Sequence, residues 1–217
     1  MRDQNRVLQT VLDANPVIPV VTIEDPDLAV ELARALLAGG ISAIEVTLRT
    51  AAAIEAIKTI AKTIPEIAVG AGTVLTPAQY ALAATSGARF CVAPGASPAL
   101  LDAAEASAVP LLPGAMTPTE VLSLLERGYR LQKFFPAEAA GGIAMVQAMA
   151  SPIPAVRFCP TGGVTAQSAF RYLSLPNVIC VGGSWVAPET MLQSRDFSGI
   201  THLASAAAGL RVRERKA

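Results

Sequence analysis

Histidine is almost missing from this chain: His202 is the only one, and it falls in the last helical stretch. Lysine is nearly as scarce, with Lys58, Lys62, Lys133 and Lys216 the whole supply. Cysteine occurs three times, at Cys91, Cys159 and Cys180, and charged residues make up only 16%. Each shortage removes a class of function. One histidine and no acidic cluster leave a metal centre of several imidazoles and carboxylates without its ligands, so none is expected. Three scattered cysteines form neither a disulfide framework nor a zinc site, and read as the reduced thiols of a cytoplasmic protein. Acidic and basic residues balance at 17 each. Zero net charge gives no electrostatic case for nucleic acid or an anionic membrane as a partner. No apolar run is long enough to span a bilayer. Met1–Thr10 is polar and charged, unlike a secretory leader.

What is present is apolar material, 52% of 217 residues, arranged in a rhythm. Asp3–Asn15 reads as a helix with Val7, Leu8, Val11 and Leu12 on one face. Eight β-rich runs follow, each succeeded by an alanine-rich helical stretch: Val17–Thr22, Ala43–Leu48, Ile67–Val69, Arg89–Val92, Pro110–Leu112, Tyr129–Phe134, Ala155–Cys159 and Val178–Val181. Asp25-Pro26, Thr76-Pro77, Ser97-Pro98 and Thr117-Pro118 each place a side-chain cap before a proline at the first helical position, where a missing N–H costs nothing. Glycines after the strands, at 70 and 72, 95, 114, 162 and 163, and 182 and 183, predict tight turns where a ligand can approach backbone N–H groups. Eight such units predict an α/β fold, a (β/α)8 TIM barrel with an extra N-terminal helix. A doubly wound open sheet is the alternative. Its dinucleotide fingerprint fails at Gly70-Ala71-Gly72, because position 75 is leucine and no acid follows at the required distance. No linker divides the chain, so residues 1–217 are expected to form one domain.

Among the four lysines, only Lys133 lies in a strand-like, apolar setting, Arg130-Leu131-Gln132-Lys133-Phe134-Phe135-Pro136. Burial disfavours the charged form of a lysine and leaves an amine nucleophile. The plainer reading is a lysine that snorkels outward to pair with an acid. Strand two carries a matching oddity. Alternation turns Ile44, Val46 and Leu48 toward the helices, and Ala43, Glu45, Thr47 and Arg49 toward the axis. Strands two and six face each other across an eight-stranded barrel, so Glu45 and Lys133 should reach one central space. A simple ion pair needs no more than that; so does imine chemistry with proton transfer. The same alternation sends Arg130 and Gln132 outward, where the sequence offers them no partner.

Arg49 and Thr73, at the ends of strands two and three, could grip a carboxylate with a guanidinium fork and a hydroxyl. Gly162-Gly163 and Gly182-Gly183-Ser184 follow strands seven and eight, where barrels often hold phosphate through backbone amides. Only Arg171 lies nearby as a cation between Thr161 and Ser194, so such a site would rest on amides and Ser184. Ordinary turns are the alternative.

Five motifs carry a family resemblance from about Val17 to Trp185: Glu45-Val46-Thr47-Leu48-Arg49, Gly70-Ala71-Gly72-Thr73-Val74, Lys133-Phe134-Phe135-Pro136-Ala137-Glu138, Arg157-Phe158-Cys159-Pro160-Thr161-Gly162-Gly163 and Gly182-Gly183-Ser184-Trp185. The chain resembles the 2-keto-3-deoxy-6-phosphogluconate (KDPG) aldolase / 4-hydroxy-2-oxoglutarate (KHG) aldolase family of class I. The resemblance implies that Lys133 forms a Schiff base and Glu45 moves protons. It implies that Arg49 and Thr73 hold the pyruvyl carboxylate, that Pro94 and Phe135 line the pocket, and that Thr161 helps set stereochemistry. Gly162, Gly163, Gly183 and Ser184 would bind phosphate. It further implies a homotrimer without metal or organic cofactor, cleaving 2-dehydro-3-deoxy-6-phospho-D-gluconate in the Entner-Doudoroff pathway. Alternatives are 4-hydroxy-2-oxoglutarate or the phosphogalactonate epimer as substrate. A phosphosugar isomerase or a phosphate-ligand-binding barrel is the reading outside the lyases. Two positions depart from some relatives: Thr22 stands where they carry arginine, and Ala140 where they carry asparagine.

Overall fold

The structure, a computed structural model, describes residues 2–210. Lys216 lies outside the described residues. Nine strands alternate with ten α-helices among them. The strands are β1 Val17–Val21, β2 Ala43–Thr47, β3 Ala68–Gly72, β4 Phe90–Val92, β5 Leu111–Leu112, β6 Gly114–Ala115, β7 Leu131–Phe134, β8 Arg157–Pro160 and β9 Val181–Gly183. Every pairing between them is parallel, which makes the fold α/β. Six strands form one sheet in the order β5-β4-β3-β2-β1-β9, and three form another, β6-β7-β8. Isolated bridges between Phe158 and Val178, and between Thr161 and Gly182, join the two.

The expected fifth strand is two short ones. Pro113 separates β5 from β6, because proline has no N–H to give the ladder. Its carbonyl still accepts from Lys133 N at 2.9 Å. Two expected turns are strands instead: Gly70 and Gly72 lie in β3, and Gly182 and Gly183 in β9. These glycines are small because neighbours fill the space where a side chain would go. A Cβ built on Gly70 would fall 2.7 Å from Phe90 Cδ2, and one on Gly182 would fall 2.9 Å from Thr161 Cγ2.

Capping proceeds as the sequence dictates at three of the four proline starts. Thr76, Ser97 and Thr117 accept from Gln79 N, Leu100 N and Glu120 N at the heads of α4 (Pro77–Thr85), α5 (Pro98–Glu105) and α6 (Pro118–Glu126). Asp25 instead caps a 3-10 turn, Pro26–Leu28, and α2 (Ala29–Ala38) begins after it.

Apolar packing has two layers. Ile44 and Val46 of β2 point outward into the larger layer with Leu32 and Leu36 of α2. The inner layer collects Ile18, Ala43, Phe90, Val92, Leu112, Leu131 and Cys159, and receives Leu8, Val11 and Leu12 of α1 (Arg2–Ala14). Helix α1 therefore covers the inner layer, each buried leucine contributing about 1.5–3 kcal/mol. Val7, expected on the same face, is 47% exposed. Gln4 and Asn5 tie α1 down through the Ala104 and Gly128 carbonyls at 3.0 and 2.9 Å.

Candidate active site

Strand β7 places its side chains alternately. Leu131 joins the inner layer, and Lys133, two residues on, shares its face. Gln132 points the other way and is not stranded: its Nε2 donates to Val121 O of α6 at 3.1 Å and to Tyr129 O at 2.9 Å. Phe134 packs edge-on against Phe158, ring centres 6.1 Å apart. Arg130 is exposed.

Lys133 is 4% exposed and Glu45 3%. Its Nζ lies 3.4 Å from Glu45 Oε1 and 5.1 Å from the centre of the Phe135 ring. A charge-assisted N–H···O bond usually closes to about 2.8 Å. The longer separation leaves the amine in contact with the acid without locking it. Gly72 makes room for that acid: a Cβ there would fall 2.5 Å from Glu45 Cγ and nearer still to Oε1.

The amine opens onto a cleft of about 430 Å³, a volume suited to a small organic ligand. Arg49, Phe135, Thr161, Gly162, Gly163, Gly183 and Ser184 line it with Lys133. Glu45 stands behind Lys133 and is not part of the lining. Thr73 and Pro94 are not part of it either. Thr73 follows β3 directly, in left-handed backbone at φ 58°. That conformation is a genuine outlier for a β-branched residue and costs roughly 1–3 kcal/mol. Pro94 follows β4, its carbonyl pressed so close to Gly114 that a Cβ there has no room.

Thr161 is 6% exposed, and its hydroxyl donates to Cys159 O at 3.3 Å. Gly162 and Gly163, with φ 98° and 81°, follow it in conformations that side chains rarely adopt. The Thr161–Gly182 bridge turns the Gly162 N–H toward Gly182 O, while the N–H groups of Gly163 and Ser184 donate to nothing among the described residues. This end of the cleft is a set of unengaged amides, able to receive an anion.

Of the lining residues that the sequence did not assign to the site, three carry polar or aromatic side chains. Thr22 contributes a hydroxyl 3.0 Å from that of Thr47. Trp185 closes the wall beside Gly183. Glu189, exposed and bonded through Oε1 to Gln193 Nε2 at 2.9 Å, is the only acid in the lining among the described residues. Its signal in the sequence is weak: an acid a few residues beyond the last glycine pair. The remaining reactive side chains are elsewhere or silent. Burial pushes the Cys91 thiol up to about 12. Burial, then its hydrogen bond with Cys159, pushes Cys180 up as well. His202 is exposed on α10 (Phe197–Ala208), outside the lining. One amine, one carboxylate behind it, one guanidinium at the rim and an amide nest can together attack a ketone, move protons and hold two anionic ends of a ligand.

A family model described as KDPG and KHG aldolase matches residues 8–203. The KHG/KDPG aldolase of Escherichia coli (strain K12) is 45% identical over 204 residues, covering 94% of this chain and 96% of its own. A crystal structure of KDPG aldolase from Legionella pneumophila, with pyruvate captured at low pH as a covalent carbinolamine intermediate, is 46% identical. It superposes with a TM-score of 0.91, covering 92% of this chain and 97% of its own. The 2-keto-3-deoxy-6-phosphogluconate aldolase of Zymomonas mobilis ZM4, with 3-phosphoglycerate, is 43% identical at a TM-score of 0.91, covering 97% and 98%.

Proposed function

The chain belongs to the KDPG and KHG aldolase family, and from that membership and the cleft's geometry we propose that it is a Schiff-base lyase cleaving 2-dehydro-3-deoxy-6-phospho-D-gluconate to pyruvate and D-glyceraldehyde 3-phosphate. The observation that carries this reading is the buried Lys133–Glu45 pair, with Lys133 in the cleft lining and Glu45 3.4 Å behind it. Lys133 Nζ attacks the C2 keto carbon, and the carbinolamine loses water to give an imine. Glu45 takes the proton of the C4 hydroxyl. The C3–C4 bond breaks, its electron pair passes into the imine as an enamine, and C4 leaves as the aldehyde carbon. Glu45 returns the proton to C3. Water then hydrolyses the imine, freeing pyruvate and the amine. Lysine itself supplies the electron sink, so these steps call on no further cofactor.

Arg49 at the rim, with Thr73, holds the substrate carboxylate in this reading. Phe135 and Pro94 shape the pocket, Thr161 orients the C4 hydroxyl, and Gly162, Gly163, Gly183 and Ser184 take the phosphate. The unengaged amides favour a phosphorylated substrate over 4-hydroxy-2-oxoglutarate. The two sheets are read as one closed ring of eight strands, supported by the Phe158–Val178 and Thr161–Gly182 bridges and the single residue between β5 and β6, and residues 2–210 as one domain. A cytoplasmic enzyme fits three buried free thiols. A homotrimer is part of the same proposal: half-exposed Leu75, Leu82, Leu122 and Phe170 supply apolar surface for it, and light scattering tests it.

Activity of the purified chain on the phosphogluconate, the phosphogalactonate and 4-hydroxy-2-oxoglutarate, side by side, tests the substrate. The phosphogluconate is expected to give the highest kcat/KM. Lys133→Ala is expected to lose nearly all turnover, and Glu45→Gln about a hundred- to ten-thousandfold. Retained turnover in Lys133→Ala defeats the assignment.

A further inference from the structure

The two glycines at the anion end of the cleft are held from behind. Thr161 O accepts from Ala137 N at 2.8 Å, and Gly162 O accepts from Glu138 N at 3.0 Å. A trans peptide unit points its N–H opposite to its C=O. Both carbonyls face the 137–138 segment, so the N–H groups of Gly162 and Gly163 point away from it. The Gly162 N–H turns toward Gly182 O across the Thr161–Gly182 bridge, and the Gly163 N–H, with no acceptor among the described residues, is left to receive an anion; both residues line the cleft.

The 137–138 segment is fixed in turn by the Glu138 side chain. Its Oε1 accepts from the Tyr172 hydroxyl at 2.9 Å. Tyr172 is fully buried in α8 (Ala166–Leu173), so its hydroxyl is a rigid anchor. Burial first, and the Glu138 hydrogen bond second, push the Tyr172 phenol up and keep it a donor at neutral pH. The stem of Glu138 lies against Gly163, where a Cβ would fall 2.7 Å from Glu138 Cγ and 2.8 Å from its Cβ. Gly163 thus has only hydrogen to offer on that side, and Glu138 closes it.

We propose that Glu138 is a positioning residue: anchored by Tyr172, it sets the peptide plane between Gly162 and Gly163 so that the Gly163 amide receives the phosphate of the substrate. This rests on reading those loops as the phosphate end of the cleft. Glu138 acts through the loop and leaves the reaction of Lys133 and Glu45 unchanged.

Titration of inorganic phosphate into the full-length protein, by calorimetry, tests it. Glu138→Ala and Tyr172→Phe are expected to weaken phosphate binding by about five- to tenfold, the loss that one anchoring hydrogen bond implies. Glu138→Gln keeps an acceptor for Tyr172 and is expected to restore binding to within about twofold of wild type. In all three, the KM for the phosphorylated acid follows phosphate affinity while kcat and the trapping of pyruvate by borohydride stay constant. Unchanged phosphate affinity in Glu138→Ala or Tyr172→Phe overturns the proposal. So does a wild-type protein that binds no phosphate, or pyruvate trapping that falls in step with phosphate binding. If Glu138→Ala does not fold, Tyr172→Phe and Glu138→Gln decide the matter by the same criteria. A wild-type protein that binds phosphate and responds to these variants, yet forms no pyruvate adduct, sinks the aldolase reading and leaves this proposal standing.

Discussion

Replacing Gly72 by alanine puts one methyl group where Glu45 keeps its carboxylate. The added Cβ would lie 2.5 Å from Glu45 Cγ and 2.7 Å from Cδ. Carbon atoms settle at about 3.5–4.0 Å, so the carboxylate has to withdraw by about 1 Å. Its contact with Lys133 Nζ is already 3.4 Å, and a further ångström takes it beyond hydrogen-bond reach. Gly72 is not in left-handed backbone, so the change adds volume without torsional strain. Overpacking of this kind costs typically 1–3 kcal/mol of stability. A 1 Å misplacement of a reacting group costs about a hundredfold in rate. We expect Gly72→Ala to fold, to bind pyruvate, and to lose about a hundredfold in kcat, measured by coupling pyruvate release to lactate dehydrogenase. Gly70→Ala is the control. Its Cβ would strike the Phe90 ring instead of Glu45, so it should lose comparable stability and far less kcat. A folded Gly72→Ala enzyme within about twofold of wild type, or a Gly70→Ala enzyme equally slow, refutes the reasoning.

Glu189→Gln removes an acid from the cleft lining. The KM for the phosphorylated substrate should fall a few-fold, and added salt, which lowers the wild-type KM by screening the repulsion, should have little effect on the variant. Thr117→Ala deletes the cap of α6 and should cost about 1 kcal/mol in a denaturant titration. The Met116 N–H, followed by that of Thr117, holds the Glu120 carboxyl below its ordinary range. Its contribution is therefore present above the usual carboxylate range and is lost as pH falls through the folded value. Glu120→Gln should flatten this part of the acid limb of stability against pH. Cys91 and Cys180, both pushed up by burial, should resist iodoacetamide at pH 8 until the protein is unfolded, as peptide mass mapping would show.

The strand and helix rhythm was legible because β-rich runs and Thr-Pro or Ser-Pro caps are local signals. The errors sit where a distant residue decides. Gly70, Gly72, Gly182 and Gly183 look like turn residues, yet lie in strands, because Phe90, Glu45, Thr161 and Trp185 occupy the space of their side chains. Nothing near those glycines in the chain announces that. Pro113 divides the fifth strand while its carbonyl continues the ladder to Lys133, a compromise visible only once β7 lies alongside. The meeting of Glu45 and Lys133 could be read from two charged residues on the inner face of apolar strands. The partner of Gln132 could not, since Val121 O is a main-chain group that comes within reach only when α6 docks. The Tyr172–Glu138 bond spans 34 residues, and Glu189 enters the cleft by the course of one loop. Thr73 and Pro94 lie one residue and two residues beyond their strands, outside the lining of the cleft as it stands.

The most direct measurement is borohydride reduction of the full-length protein in the presence of pyruvate, followed by proteolysis and mass mapping. The account predicts a single reduced pyruvyl adduct, on the peptide bearing Lys133, absent from Lys133→Ala. No adduct on the folded wild-type protein, or an adduct on Lys58 or Lys62 in its place, contradicts it.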